Sequence, residues 1–121
     1  GVLVYGALAH GLLGGSRSFP TGDWRANAVG LSGRALERNL QVVERLRGIA
    51  AEFGRTIAEL AVAWVLNQPG VHVAIVGARR PAHLESILRA AEWTMDPALV
   101  ERIEQAVAGA HPVPGLTPEG P

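Results

Sequence analysis

Residues 71–84, VHVAIVGARRPAHL, decide the fold. Val71 to Val76 form a nearly unbroken apolar run rich in β-branched side chains. Such a run fits a strand covered on both faces, because a strand with one wet face would alternate apolar and polar residues. Gly77 to Arg80 make a tight turn, and Pro81, which has no N–H to lose at a first helical position, opens a helix predicted to run to about Glu92. A buried strand that passes through a short turn into a helix is the repeating unit of a parallel α/β sheet.

Upstream, Thr56 and Glu59 have the spacing of a capping box, in which the Thr56 hydroxyl and the Glu59 carboxylate would each satisfy a free backbone donor at a helix start. The helix they open, AELAVAWVL, is apolar nearly all round and is expected to pack between other elements, with Pro69-Gly70 stopping it. Before it, Leu36, Leu40, Val43, Leu46, Ala50 and Phe53 recur at spacings of three and four, which predicts an amphipathic helix closed by Gly54. The chain opens on a second buried strand, Val2 to Tyr5, closed by Gly6. The glycine-rich segment from Ala7 to about Gly33 is too long and too broken for a simple connection. Downstream, Asp96 and Pro97 start a last helix with the apolar stripe Leu99, Val100, Ile103, Ala106 and Val107, ended by Gly109. Residues 1–110 are therefore expected to belong to one domain, and the proline- and glycine-rich residues 111–121 to be a flexible tail. Strand, loop, helices, strand and helix in this order predict an α/β fold with two parallel strands and flanking helices. A complete (β/α)8 barrel takes roughly 250 residues, so this is about a quarter of one.

Composition narrows the chemistry. Of 121 residues, 48% are apolar and 18% charged, as in a globular domain, and eleven basic side chains balance eleven acidic ones. A neutral chain has no field to recruit nucleic acid or an anionic membrane, so any anion site must be local. There is no cysteine, and His10, His72, His83 and His111 have no paired ligand spacing, so no metal site is expected. No apolar run reaches the roughly 18 residues of a membrane span and no basic stretch precedes the first strand, so a soluble, cytoplasmic protein is expected. Gly1 begins abruptly, almost inside a strand.

In parallel α/β folds ligands meet the loops at the carboxyl ends of the strands, which directs attention to the residues after Tyr5 and after Val76. The segment GARRPAHLES combines a glycine that lets backbone approach a ligand, two guanidinium groups and a helix N-terminus that attracts anions, all suited to a phosphate. On spacing alone, Arg79 and Arg80 are read more readily as solvated loop charges, and Tyr5 as a core residue. The first loop, GALAHGLLGG, has neither the G-x-G-x-x-G nor the P-loop pattern.

Three separated segments, VLVYGALAHGLLGG, then DWR, then TIAELAVAWVLNQPGVHVAIVGARRPAHLES, resemble in that order the last two strands and adjoining segments of aldo-keto reductases, over about residues 2 to 107. The resemblance implies that the chain is the C-terminal part of a (β/α)8 barrel, an NADP-dependent oxidoreductase domain that reduces aldehydes or ketones. It implies NADPH as cofactor, with Tyr5 stacking on the nicotinamide and Gly6, Ala7, Leu8, Ala9 and His10 contacting the pyrophosphate. Arg25, with Arg17, helps clasp the cofactor, and Gly77, Ala78 and Arg79, with Arg80 beside them, hold the adenosine 2′-phosphate. His83 and Ser86 fall in the helix that grips adenine.

The sequence departs from the family pattern in several places. Ala7 stands where many members have proline, Ser16 where a lysine often follows the glycines, and His83, Ser86 and Ile87 replace the usual polar residues of the adenine helix. The family's general-acid tyrosine, lysine, aspartate and histidine come from earlier strands and loops. This chain contains no lysine, and its one tyrosine matches the nicotinamide position, so no catalytic residue is expected in it and the chain alone should be inactive. The expected partners are NADPH, a small carbonyl substrate and upstream barrel strands, from the same protein or another copy. Two other functions fit: a regulatory NADPH-binding protein like the potassium channel β subunits of this family, or a non-catalytic half-barrel that pairs through its apolar strands.

Overall fold

A computed structural model describes residues 1–114. Strand β1 (Val2–Tyr5) is followed by a segment holding two short 3₁₀ turns, then by helices α1 (Gly33–Glu52) and α2 (Ile57–Leu66). Strand β2 (Val71–Ile75), α3 (Pro81–Ala91) and α4 (Pro97–Val107) complete the order. The two strands pair in parallel, Leu3 opposite Val73, Val4 opposite Ala74 and Tyr5 opposite Ile75, with an irregularity between Val2 and Leu3.

Each helix begins where its local chemistry dictates. Thr56 lies in extended conformation, and its hydroxyl oxygen accepts the Glu59 N–H at 3.1 Å. Asp96 does the same for the Leu99 N–H at 2.8 Å, with Pro97 at the first helical position as expected. Gly54 follows α1 with φ +64, the left-handed conformation that costs a glycine little. The core gathers on one side of the sheet, where Val43, Leu46, Ile49 and Ala50 of α1 meet Leu60 and Ala63 of α2 and Leu99 and Ile103 of α4. Helix α2 is wedged among α1, α3 and β2, as its all-round apolar surface requires. Asn67 at its end donates to the Trp93 carbonyl at 2.9 Å and accepts the Met95 N–H at 3.1 Å, pinning the link between α3 and α4.

The structure corrects three expectations. The strands are not covered on both faces: Leu3, Tyr5, Val73 and Ile75 point away from the helices and are 44% to 63% exposed. Four helices can cover only one side of two strands, and the continuous apolar pattern belongs to a sheet with more of a barrel around it. The capping box is half made, because the Glu59 carboxylate turns inward instead of back to the Thr56 N–H. It is 2% exposed and meets Arg55 Nη1 at 3.3 Å, Arg89 Nη2 at 3.7 Å and the Ser86 hydroxyl at 3.3 Å. Finally, His111–Val113, assigned in sequence to a flexible tail, are held in place. The His111 N–H donates to Asn39 Oδ1 at 2.8 Å, and the Asn39 amide donates to His111 O at 3.2 Å and to Gly30 O at 2.9 Å. A Cβ on Gly30 would lie 2.3 Å from Pro112 O, so only glycine permits this crossing. Residues 115–121, the rest of that segment, lie outside the described residues.

Candidate functional site

Because β1 and β2 are parallel, their carboxyl ends open on the same side and bring together the loops after Tyr5 and Ile75. Gly6, Ala7 and Leu8 face Val76 and Gly77 across a cavity of about 160 Å³. Beside it lies an open crevice of about 820 Å³, whose wall includes Leu8, His10, Asp23, Arg25, Gly77, Arg79 and His83. A narrower slot of about 110 Å³ runs between α2 and α3, lined by Ala58 and Val62 on one side and His83, Ser86 and Ile87 on the other. Leu8, Gly14, Gly77 and His83 belong to both crevice and slot, which makes them one continuous groove.

The loop after β1 is bent into an uncommon shape. Ala9 and His10 have φ of 47° and 57°, left-handed values that are costly for residues with a Cβ and persist only where the surroundings impose them. Gly11 N–H donates to Leu8 O at 3.0 Å and closes the turn. Arg25 braces it from outside, its Nη1 donating to His10 O at 2.9 Å. The same guanidinium donates through Nε to Asp23 Oδ1 at 3.0 Å and through Nη2 to Asp23 Oδ2 at 2.6 Å, and lies 4.6 Å above the Phe19 ring. The Trp24 indole meets the His10 imidazole edge-on at 5.1 Å. The bonds from Arg25 hold the Asp23 carboxyl down at about 2, with a smaller contribution from the charge of Arg79. Among the described residues, the N–H groups of Ala7 and Leu8 in this loop and of Ala78 and Arg79 in the other have no backbone or side-chain acceptor, and Arg79 stands just ahead of the α3 N-terminus. Free N–H groups, a guanidinium and a helix start around one groove make a place for an anion.

The sequence-predicted residues divide accordingly. Leu8, His10, Arg25, Gly77, Arg79 and His83 line the crevice, and Gly6 and Ala7 line the cavity between the strand ends. Ala9 sits within the bent loop and packs against the core. Tyr5 is exposed, does not line the crevice, and instead lines a separate apolar hollow of about 280 Å³ with Val4, Leu60 and Ile103. Arg80 precedes α3 and is exposed, as is Ala78. Arg17 turns away from the groove to pair with Glu44 on α1. Ser86 walls the slot, but its hydroxyl donates to Glu59. Two residues have roles that the sequence reading did not assign. The role of Asp23 was signalled by its position two residues before Arg25, the spacing of a local side-chain turn in which Asp23 accepts the Arg25 N–H at 2.9 Å. The inward turn of Glu59 was masked by its helix-capping position. Among the described residues no three His, Cys, Asp or Glu side chains cluster as a metal site would require, and no helix is long and apolar enough to cross a membrane.

Two parallel strands with helices on one face and a polar groove at their carboxyl ends are the architecture of part of a (β/α)8 barrel. The solved glycerol dehydrogenase AKR11B4 from Gluconobacter oxydans matches it with a TM-score of 0.81 at 29% identity, over 97% of this chain and 36% of that one. The profile of the aldo/keto reductase family matches residues 1–108, and the chain belongs to that family of oxidoreductases. It is similar to aldo-keto reductase YhdN of Bacillus subtilis, 33% identical over 78% of this chain and 30% of the relative. It is also similar to the aldo-keto reductase yakc [NADP(+)] of Schizosaccharomyces pombe, 28% identical over 98% and 36%. A probable voltage-gated potassium channel subunit beta of Arabidopsis thaliana is 31% identical over 88% and 35%. The chain thus spans about a third of the length of the curated relatives it matches.

Proposed function

We propose that the groove holds NADPH and that the protein reduces aldehydes or ketones to alcohols with it, this chain binding the cofactor and contributing no catalytic acid. The observation that carries the proposal is Arg79 at the head of α3, on the wall of a crevice whose loops offer unpaired N–H groups. The donor set fits a dinucleotide phosphate: a permanent, planar cation for a phosphate monoester and backbone N–H groups for a pyrophosphate. When bound, the cofactor supplies hydride to the carbonyl carbon.

The chain's own residues bind and orient. Gly77, Ala78 and Arg79 would hold the 2′-phosphate, with the charge of Arg80 adding to the local field. Gly6, Ala7, Leu8, Ala9 and His10 would face the pyrophosphate, and Tyr5 offers its ring to the nicotinamide at the strand end. Arg25 holds the first loop in its bent shape through Asp23 and the His10 carbonyl. His83 and Ser86 wall the slot toward the adenine. A cofactor preference follows from Arg79. In the full-length protein, Arg79→Ala should weaken NADPH binding about 10- to 100-fold, the equivalent of one charge-assisted hydrogen bond, while NADH affinity changes little. Calorimetric titration with both nucleotides tests this, and unchanged NADPH affinity would remove the phosphate assignment.

A regulatory reading, in which the bound cofactor reports redox state to a partner, draws support from the channel-subunit relatives of Arabidopsis thaliana and rice. Steady turnover of carbonyl substrates by the full-length protein favours the enzyme, and tight cofactor retention without turnover favours the regulator.

A further inference from the structure

Asn39 of α1 is a polar side chain only 3% exposed, and nothing in the cofactor reading uses it. Both of its amide hydrogens are taken, one by Gly30 O at 2.9 Å and one by His111 O at 3.2 Å, and its Oδ1 accepts the His111 N–H at 2.8 Å. One side chain thus pairs both backbone groups of His111, as a neighbouring strand would. The next two residues lie directly on Gly30: a Cβ there would come within 2.3 Å of Pro112 O and 2.9 Å of Val113 Cγ2. Val113 also packs on the core, so residues 111–113 are a docked strap. The strap bears on the segment that carries Arg25. Leu31, buried beside Gly30, donates its N–H to Ala28 O at 3.1 Å, and the Ala28 N–H donates to Arg25 O at 3.2 Å. The Ser32 hydroxyl donates to the same Ala28 carbonyl at 3.1 Å. Gly30 is five positions from Arg25, and these successive turns leave little slack between them. Arg25 in turn holds His10 O, in a bend whose left-handed φ values persist only while the surroundings impose them.

From this we propose that residues 111–113 are a strap that controls retention of the cofactor, with Asn39 as its positioning residue. Docking of the strap on Asn39 and Gly30 fixes residues 25–30, and through Arg25 it keeps the loop after β1 in its bent shape. The inference rests on the NADPH assignment and adds a remote control of the same groove. Neither Asn39 nor the strap lines the crevice, the slot or the cavity between the strand ends, so both act through the order of the loop and not by touching the cofactor. A ligand held by an ordered loop leaves faster when the loop is freed, and such differences fall mainly in the dissociation rate.

The test measures NADPH release from the full-length protein by stopped-flow fluorescence, beside amide hydrogen exchange of the nucleotide-free protein. His111→Pro removes the N–H that Asn39 accepts and leaves the core untouched, Asn39→Ala removes all three bonds, and His111→Ala keeps the backbone pairing. Release should be about three- to tenfold faster in His111→Pro and Asn39→Ala, the equivalent of about one net hydrogen bond, and within about twofold of the unaltered protein in His111→Ala. Exchange at residues 7–13 and 24–31 should rise in the first two variants alone. His111→Pro carries the decision if Asn39→Ala does not fold. A merely structural contact would lower the melting temperature without changing release from the protein that stays folded. Release within about twofold of the unaltered rate in His111→Pro therefore overturns the inference and leaves the NADPH assignment intact. His111→Ala as fast as His111→Pro also overturns it, because the imidazole and not the Asn39 pairing would then hold the strap. If the unaltered protein fails to bind NADPH at millimolar concentration, the assignment beneath falls and takes the inference with it.

Discussion

Arg25 and Arg79 are both arginines in loops at the strand ends, yet they do opposite things. Arg25 is spent on protein partners, the Asp23 carboxylate and the His10 carbonyl, whereas Arg79 has its guanidinium on the open crevice. The sequence marked both as cofactor residues. On spacing alone Arg79 read as a solvated loop charge, and the family resemblance singled it out. The bracing role of Arg25 was not legible either way, because it depends on a left-handed bend at Ala9 and His10, 15 residues away. The pairing has a titration signature. A carboxyl group whose folded pKa lies below its unfolded value adds stability above the unfolded pKa and loses it as pH falls through the folded one. For Asp23 that contribution is complete above the ordinary value of 3.8 and disappears as pH falls through about 2. Carbon-13 NMR of the Asp23 carboxyl should therefore give a midpoint near 2 that moves up toward 3.8 in Arg25→Gln. A midpoint already at 3.8 in the unaltered protein would mean that Arg25 does not hold the loop.

The helices were legible as elements because their signals are local. Apolar spacing placed α1, Thr56 and Asp96 announced the starts of α2 and α4, and Pro81 that of α3. What local pattern could not reveal was the direction of the Glu59 carboxylate, which is set by Arg55, Arg89 and Ser86 across the α2–α3 contact. The docking of His111 on Asn39, between residues 72 apart, was hidden for the same reason. The two roles at the head of α2 separate by magnitude. Thr56→Ala removes one N-cap bond and should cost about 1 kcal/mol. Glu59→Ala removes the shared acceptor of three donors. Breaking a fully buried ion pair costs 3–5 kcal/mol, but the side chains of Arg55 and Arg89 are 26% and 57% exposed and can recover solvation, so about 2 kcal/mol is expected. Urea denaturation of both variants checks the order, and a Glu59→Ala loss no larger than that of Thr56→Ala would reduce Glu59 to a helix-start residue.

At the scale of the whole molecule, the open face formed by Leu3, Tyr5, Val73 and Ile75 and the groove at the strand ends belong to one architecture. A parallel pair with helices on one side is a sector of a barrel, and the sector's carboxyl end is where such barrels bind ligands. The fold class was legible because strand, turn and helix repeat with recognisable punctuation. The one-sided exposure of the strands was not, because an apolar strand has the same sequence whether its second face is covered by this chain or by other strands. The most direct test of the cofactor groove is hydrogen exchange read by mass spectrometry on the full-length protein, with and without NADPH. The loops after β1 and β2 should gain protection at residues 6–16, 22–25 and 77–87, while α4 exchanges as before. Protection that spares both strand-end loops, or falls mainly on α1 and α4, would contradict the assignment of the groove as the cofactor site.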